Sequence, residues 1–197
     1  MVIPQFQSCG VAFKEWAGVC DALFQGRQSV IIRKGGVSEG AGPGIFVPEC
    51  SEFWLYPTWV HQAEQGLRGD AAEVPSAQPS RPEAVGSVPI RGLVRVDQIG
   101  RVESEKALPA LEEFHTLTCE TILKRFHYRK PGLWVLGARV WLRDSVLPVV
   151  ATPEHAGCKT WVILDQPIAT SGLSPVFDEI QWAEHRSRLR SILGSED

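Results

Sequence analysis

The chain has 197 residues, of which 44% are hydrophobic and 22% charged, which is the globular average and enough apolar content for one substantial core. Its formal net charge of -3 excludes a global field that would draw the whole molecule onto nucleic acid or an anionic membrane, so a polyanion must find a local patch. Five cysteines, Cys9, Cys20, Cys50, Cys119 and Cys158, are odd in number and contain no C-x-x-C pair, which argues against a disulfide framework or a zinc ribbon and for reduced thiols in a cytoplasmic protein.

Met1 to Gly10 lacks the basic and apolar pattern of a secretory leader, and no run reaches the roughly 20 apolar residues of a membrane span. Phe13, Trp16, Ala17, Cys20, Leu23 and Phe24 recur at steps of three and four, which predicts one helix of about four turns ended by Gly26. Val30, Ile31 and Ile32 predict a buried strand to Lys34, followed by the glycine-rich loop from Gly35 to Gly44. Glu52 to Tyr56 reads as a second strand halted by Pro57, which has no amide hydrogen for a ladder. From about 62 to 86 hardly a large apolar residue appears, so this stretch is expected to be a flexible insertion that adds nothing to the core.

Pro89 to Val96 alternates as a strand, with Val102 as its extension past a bulge at Gly100. Pro109 to Phe114 is a short helix with proline in its first turn. Thr118 caps a helix from Cys119 to Phe126, Pro131-Gly132 breaks the chain, and Leu133 to Leu142 is the longest strand. Trp161 to Leu164 is a last short strand. Ser174 as N-cap with Pro175 at the first helical position starts a C-terminal helix over about 175–193. The expectation is a single α+β domain over residues 1–197: a small bent or closed mixed β-barrel of about five strands with helices at its rim, PUA-like by analogy.

Three early blocks, Ala12-Phe13-Lys14-Glu15-Trp16, Ile32-Arg33-Lys34-Gly35-Gly36 and Phe53-Trp54-Leu55-Tyr56-Pro57-Thr58, are followed by later ones. These are His115-Thr116-Leu117-Thr118, Arg125-Phe126-His127-Tyr128-Arg129-Lys130-Pro131-Gly132-Leu133-Trp134 and Gly157-Cys158-Lys159-Thr160-Trp161. Together, over roughly 11 to 165, the chain resembles the bacterial family of domain of unknown function 1802. The resemblance implies kinship and no activity.

Between His115 and Arg143 stand six basic residues, Lys124, Arg125, Arg129, Lys130, Arg139 and Arg143, against the single acid Glu120. Phe126, Tyr128, Trp134 and Trp141 are interleaved, and cations beside stacking faces are what single-strand binders use. A solvated basic face over an aromatic core is the plain competing reading. Arg33-Lys34 before Gly35-Gly36 places two cations where backbone approaches a ligand closely, which suits a phosphate. The expected function is a nucleic-acid-binding module for RNA or DNA, without cofactor or metal. Arg33, Lys34, Gly35, Arg125, Arg129 and Lys159 serve phosphates, and Tyr56, His61, Trp134 and Trp161 supply the stacking region.

Two alternatives come from other classes. A metal-dependent nuclease or phosphodiesterase would gather Glu15, Asp21 and Glu52 around Lys34, although no Asp/Glu-x-Lys precedes Lys34. A structural interaction domain would present its C-terminal helix to another chain. Gly157-Cys158-Lys159-Thr160 is not a phosphate loop, because the upstream glycine is missing and a strand follows. Cys158 beside Lys159 has no identifiable base, and His115 with Cys119 has no second ligand pair.

Overall fold

The structure is a computed structural model, and it describes residues 7–34, 50–59, 66–69, 86–156 and 159–194. Ser8–Trp16 (β1) runs directly into helix Ala17–Phe24 (α1) and then Val30–Arg33 (β2) and Glu52–Thr58 (β3). Ser87–Val102 (β4), helix Cys119–His127 (α2) and Leu133–Val150 (β5) follow, then Trp161–Ala169 (β6), Ser174–Pro175 (β7) and helix Glu179–Leu193 (α3). Short 3-10 turns occupy Glu105–Ala107, Pro109–Phe114 and Pro153–His155.

The fold is α+β, built on one seven-stranded sheet in the order β2-β5-β4-β3-β1-β6, with β7 paired to β5. Among the described residues only β1 and β3 pair in parallel. Seven strands among the described residues replace the five expected. Among the described residues no pairing joins β2 to β6, so the expected barrel is not closed.

The strand β1 corrects the helix expected from Phe13 onward. Its residues pair on both sides, Ala12 with Trp54 and Val162, Phe13 with Leu55 and Trp161. Two-sided pairing outweighs the helical spacing of Phe13 and Trp16, and the helix shrinks to the two turns after Trp16. Gly26, at φ 69, ends the turn that follows.

Pro57 does not halt β3, because β4 covers only Glu52–Trp54 and the missing amide hydrogen falls beyond that ladder. The bulges of β4 lie between Ile90 and Gly92 and between Val96 and Gln98, not at Gly100. The strand expected over Trp161 to Leu164 extends to Ala169 as β6, carrying Asp165, Gln166 and Pro167 at an edge where polarity and proline are tolerated. Ser174–Pro175 pairs with Trp141–Leu142 instead of starting α3. Asp178 is the actual N-cap, accepting from Gln181 N at 2.8 Å while Gln181 Oε1 accepts from Asp178 N at 3.0 Å.

Alternation along the strands divides the core. Phe53 and Leu55 face one cluster with Phe13, Leu23, Ile31, Leu136 and Ala138, over which α1 lies. Trp54 and Tyr56 face another with Ile90, Leu93 and Val162. A third cluster, with Ile32, Phe114, Ile122, Phe126, Leu133 and Leu189, is where α2, α3 and the 3-10 turns cover the far end of β2 and β5. Helix α3 is pinned by Trp182 Nε1, which donates to Asp97 Oδ2 at 2.7 Å, and by Glu179 on the buried Arg139 at 2.7 Å. No described helix is long and apolar enough to cross a membrane.

Part of the segment expected to add nothing to the core is packed. Leu67 bridges Leu117 and lies against two of the three clusters.

Candidate functional site

Helix α2 starts where expected, with Thr118 Oγ1 accepting from Thr121 N at 3.3 Å. It brings Lys124, Arg125 and His127 into its last turn, the end whose carbonyls favour cations. The turn after it places Arg129 at φ 62, a conformation side chains seldom adopt, and ends at Gly132, φ 126.

Lys34 closes this end of the helix. Its Nζ donates to Phe126 O at 2.7 Å, to Gly132 O at 2.9 Å and to Lys130 O. Burial, and then Arg101, lower its pKa from the usual lysine value. Arg33 is committed to the protein as well. It pairs with the buried Glu15 at 3.3 Å, donates to Lys14 O at 2.7 Å and covers the Phe13 ring at 4.4 Å.

Arg125 lies beside them, 4.2 Å above the Trp16 ring, and Nη1 donates to Ile32 O at 3.2 Å. Burial lowers its pKa to about 10, with Glu15 opposing and Arg33 reinforcing that shift. Arg125 also lines a depression of about 460 Å³ together with Trp16, Gly66, Thr118, Glu120, Thr121, Lys124 and Tyr128. Thr121 Oγ1 accepts from Gly66 N at 2.9 Å and shares a hydrogen bond of 3.0 Å with Thr118 Oγ1. At the rim Tyr128 is 57% exposed, and Arg129 lies 5.2 Å over its ring. Lys124, Arg129 and Lys130 are exposed. Among the described residues none of these three, nor Arg125, has a carboxylate within ion-pairing distance.

Arg33, Lys34, Arg125 and Arg129 therefore share one end of the molecule. Trp134, half-buried and paired with Arg33 across the sheet, is near them. The rest of the expected set lies elsewhere. Tyr56 is 5% exposed, packed edge-on against His155, and burial raises its pKa. Trp161 is half-buried with its ring edge-on to Phe13 and Phe53, and Lys159 is exposed on the approach to β6. Arg139 is buried against Glu179, and Arg143 donates to Ala169 O at 3.3 Å, so the basic run divides between two regions. Gly35, Gly36, His61 and Cys158 lie outside the described residues.

The carboxylates do not converge on Lys34. Glu15 holds Arg33, and Asp21 holds Arg27 at 3.4 Å and Gln25 at 2.8 Å. Among the described residues no three His, Cys, Asp or Glu side chains form a metal-sized group. Cys119 is exposed and His115 buried.

Trp16 and the Thr118/Thr121 pair were not anticipated as site residues. Nothing in the sequence marks Trp16, since its place depends on the switch from strand to helix. Tyr128 carried a legible signal, an aromatic set among Arg125, Arg129 and Lys130 just before Pro131-Gly132.

The family model of the Domain of unknown function (DUF1802) matches residues 12–188. No curated protein matches the chain. Among solved structures, ASCH from Zymomonas mobilis is similar at 13% identity and a TM-score of 0.44, over 94% of this chain and 96% of that one. A point mutant of ZmASCH is similar at 13% identity and a TM-score of 0.44, over 91% of this chain and 94% of that one.

Proposed function

We propose, for a chain that belongs to the family of the Domain of unknown function (DUF1802), that the last turn of α2 and the turn after it form a nucleic-acid-binding face. The observation that carries this reading is the company of four cations that form no ion pair among the described residues, Lys124, Arg125, Arg129 and Lys130, and two rings, Trp16 and Tyr128, each under a guanidinium. None of the four is locked in an ion pair among the described residues, and phosphates binding there release counterions. Glu120, which also lines the depression, offsets Lys124 one helical turn away, which leaves the positive potential concentrated toward Arg125, Arg129 and Lys130.

The division of labour differs from that expected of the residues by type. Arg33 and Lys34 build the site: one holds Glu15, the other caps α2. Contact with phosphate falls to Arg125 inside the depression and to the exposed Lys124, Arg129 and Lys130. Trp134, Trp161, Tyr56 and Lys159 have no part in this reading.

The test is oligonucleotide binding over a salt series, with the native protein and a variant carrying Lys124→Gln, Arg129→Gln and Lys130→Gln. All three side chains are exposed, so the variant keeps the fold. For a single strand each lost phosphate contact lowers the slope of log affinity against log salt by about 0.7, so the triple change lowers it by about 2. Undetectable binding at low salt, or a slope that the substitutions leave unchanged, refutes the reading.

A further inference from the structure

Resting on that reading, we infer that the depression beside α2 takes one unpaired nucleotide, its base against Tyr128 and its phosphate against Arg125 and Lys124. The volume, about 460 Å³, lies in the range that holds a single small ligand, roughly 300–1,000 Å³. A paired base hides both faces in its stack and presents only an edge and a phosphate, whereas an unpaired one offers a face to an aromatic ring. Tyr128 presents such a ring at the rim, 57% exposed and not covered by the core.

The anion position follows from a charge count inside the site. Arg33 and Arg125 lie around one buried carboxylate, Glu15, and Glu15 is ion-paired with Arg33. Arg125 is left with a carbonyl, Ile32 O, as its hydrogen-bond partner among the described residues. A guanidinium has five N–H donors, of which Ile32 O takes one, and Arg125 is half-buried and lines the depression, so donors remain for a ligand bound there. A phosphate oxygen there gains charge-assisted hydrogen bonds from a cation already desolvated on the Trp16 ring.

The experiment compares three probes on the native protein by fluorescence anisotropy: a short single strand, the blunt duplex of the same sequence, and a single strand of equal length built from abasic units. The same probes are then applied to a Tyr128→Leu variant, a change at an exposed side chain. The expected result is that the native protein prefers the single strand over both other probes by about tenfold, the order contributed by one stacked base. Tyr128→Leu brings the single strand down to the abasic level and leaves the duplex unchanged. Equal affinity for all three probes, or a Tyr128→Leu variant that keeps the preference, overturns the unpaired-nucleotide inference while the polyanion face stands. Absence of binding to every probe overturns the face itself.

Discussion

The backbone N–H of Leu117 donates to His115 Nδ1 at 3.1 Å, so the neutral ring carries its proton on Nε2. Burial, and then the cations Arg68 and Arg125, lower the pKa of His115 from 6.5 to about 4. Between these values the unfolded chain binds a proton that the folded protein refuses. His115 therefore leaves stability intact above about pH 6.5 and draws it down as pH falls toward 4, by about 3 kcal/mol at full extent. Urea unfolding at a series of pH values checks this, with His115→Asn as the comparison, since its amide oxygen still accepts from Leu117. The variant is expected to lose most of the pH dependence within that window. At this scale the sequence shows where charge is concentrated but not what each charge does. Arg33, Lys34 and Arg125 were legible as a basic group, yet a count of cations cannot tell a guanidinium held by Glu15 over Phe13, as Arg33 is, from one without an ion pair, as Arg125 is among the described residues.

Among the elements, α2 was the most legible because its signals are local: Thr118 at the cap, an apolar stripe of Ile122 and Phe126, and Pro131-Gly132 beyond it. What closes its far end comes from the residue after β2, 92 residues away in sequence, as Lys34 on Phe126 O. Lys34→Met keeps the apolar stem and deletes the ammonium, leaving Phe126 O only the 3.2 Å bond from Gly132 N. The expected cost is about 1–2 kcal/mol, the order of a charged hydrogen bond on a partly exposed group. Faster amide exchange confined to the last turn of α2 would identify the lost cap as the cause. The strand β1 was illegible for the same reason in reverse. Its residues satisfy a helical spacing locally, and only pairing with Leu55 and Trp161 decides against it. The start of α3 moved from Ser174 to Asp178 because Ser174–Pro175 lies against Trp141–Leu142, a contact that no local cap signal reveals.

At the scale of the whole molecule, the low apolar content of 62–86 conceals one anchor, the four described residues 66–69. Gly66 N donates to Thr121 Oγ1 and Gly66 O accepts from Thr118 N, both at 2.9 Å, while Arg68 N donates to Thr116 O at 2.7 Å. Arg68 also reaches Glu112 Oε1 at 2.8 Å, Glu112 O at 2.6 Å and His115 O. The strand-like contact is tight enough to require glycine at 66, where a Cβ would stand 2.3 Å from Thr118 Oγ1. This anchor holds the N-terminal end of α2 and forms one wall of the depression, so it couples fold stability to the site. Replacing 62–86 with a short glycine-serine loop is therefore expected to cost about 2–3 kcal/mol, from the partial burial of Leu67 and the loss of the Arg68 bonds. Leu67→Ala alone should cost about 1 kcal/mol, as half-buried side chains do. Urea titration of both variants tests this, and the loop replacement should also weaken single-strand binding, because the Gly66 wall goes with it. An unchanged unfolding midpoint in the loop variant would mean that composition had described the segment correctly and that α2 holds its position without the anchor.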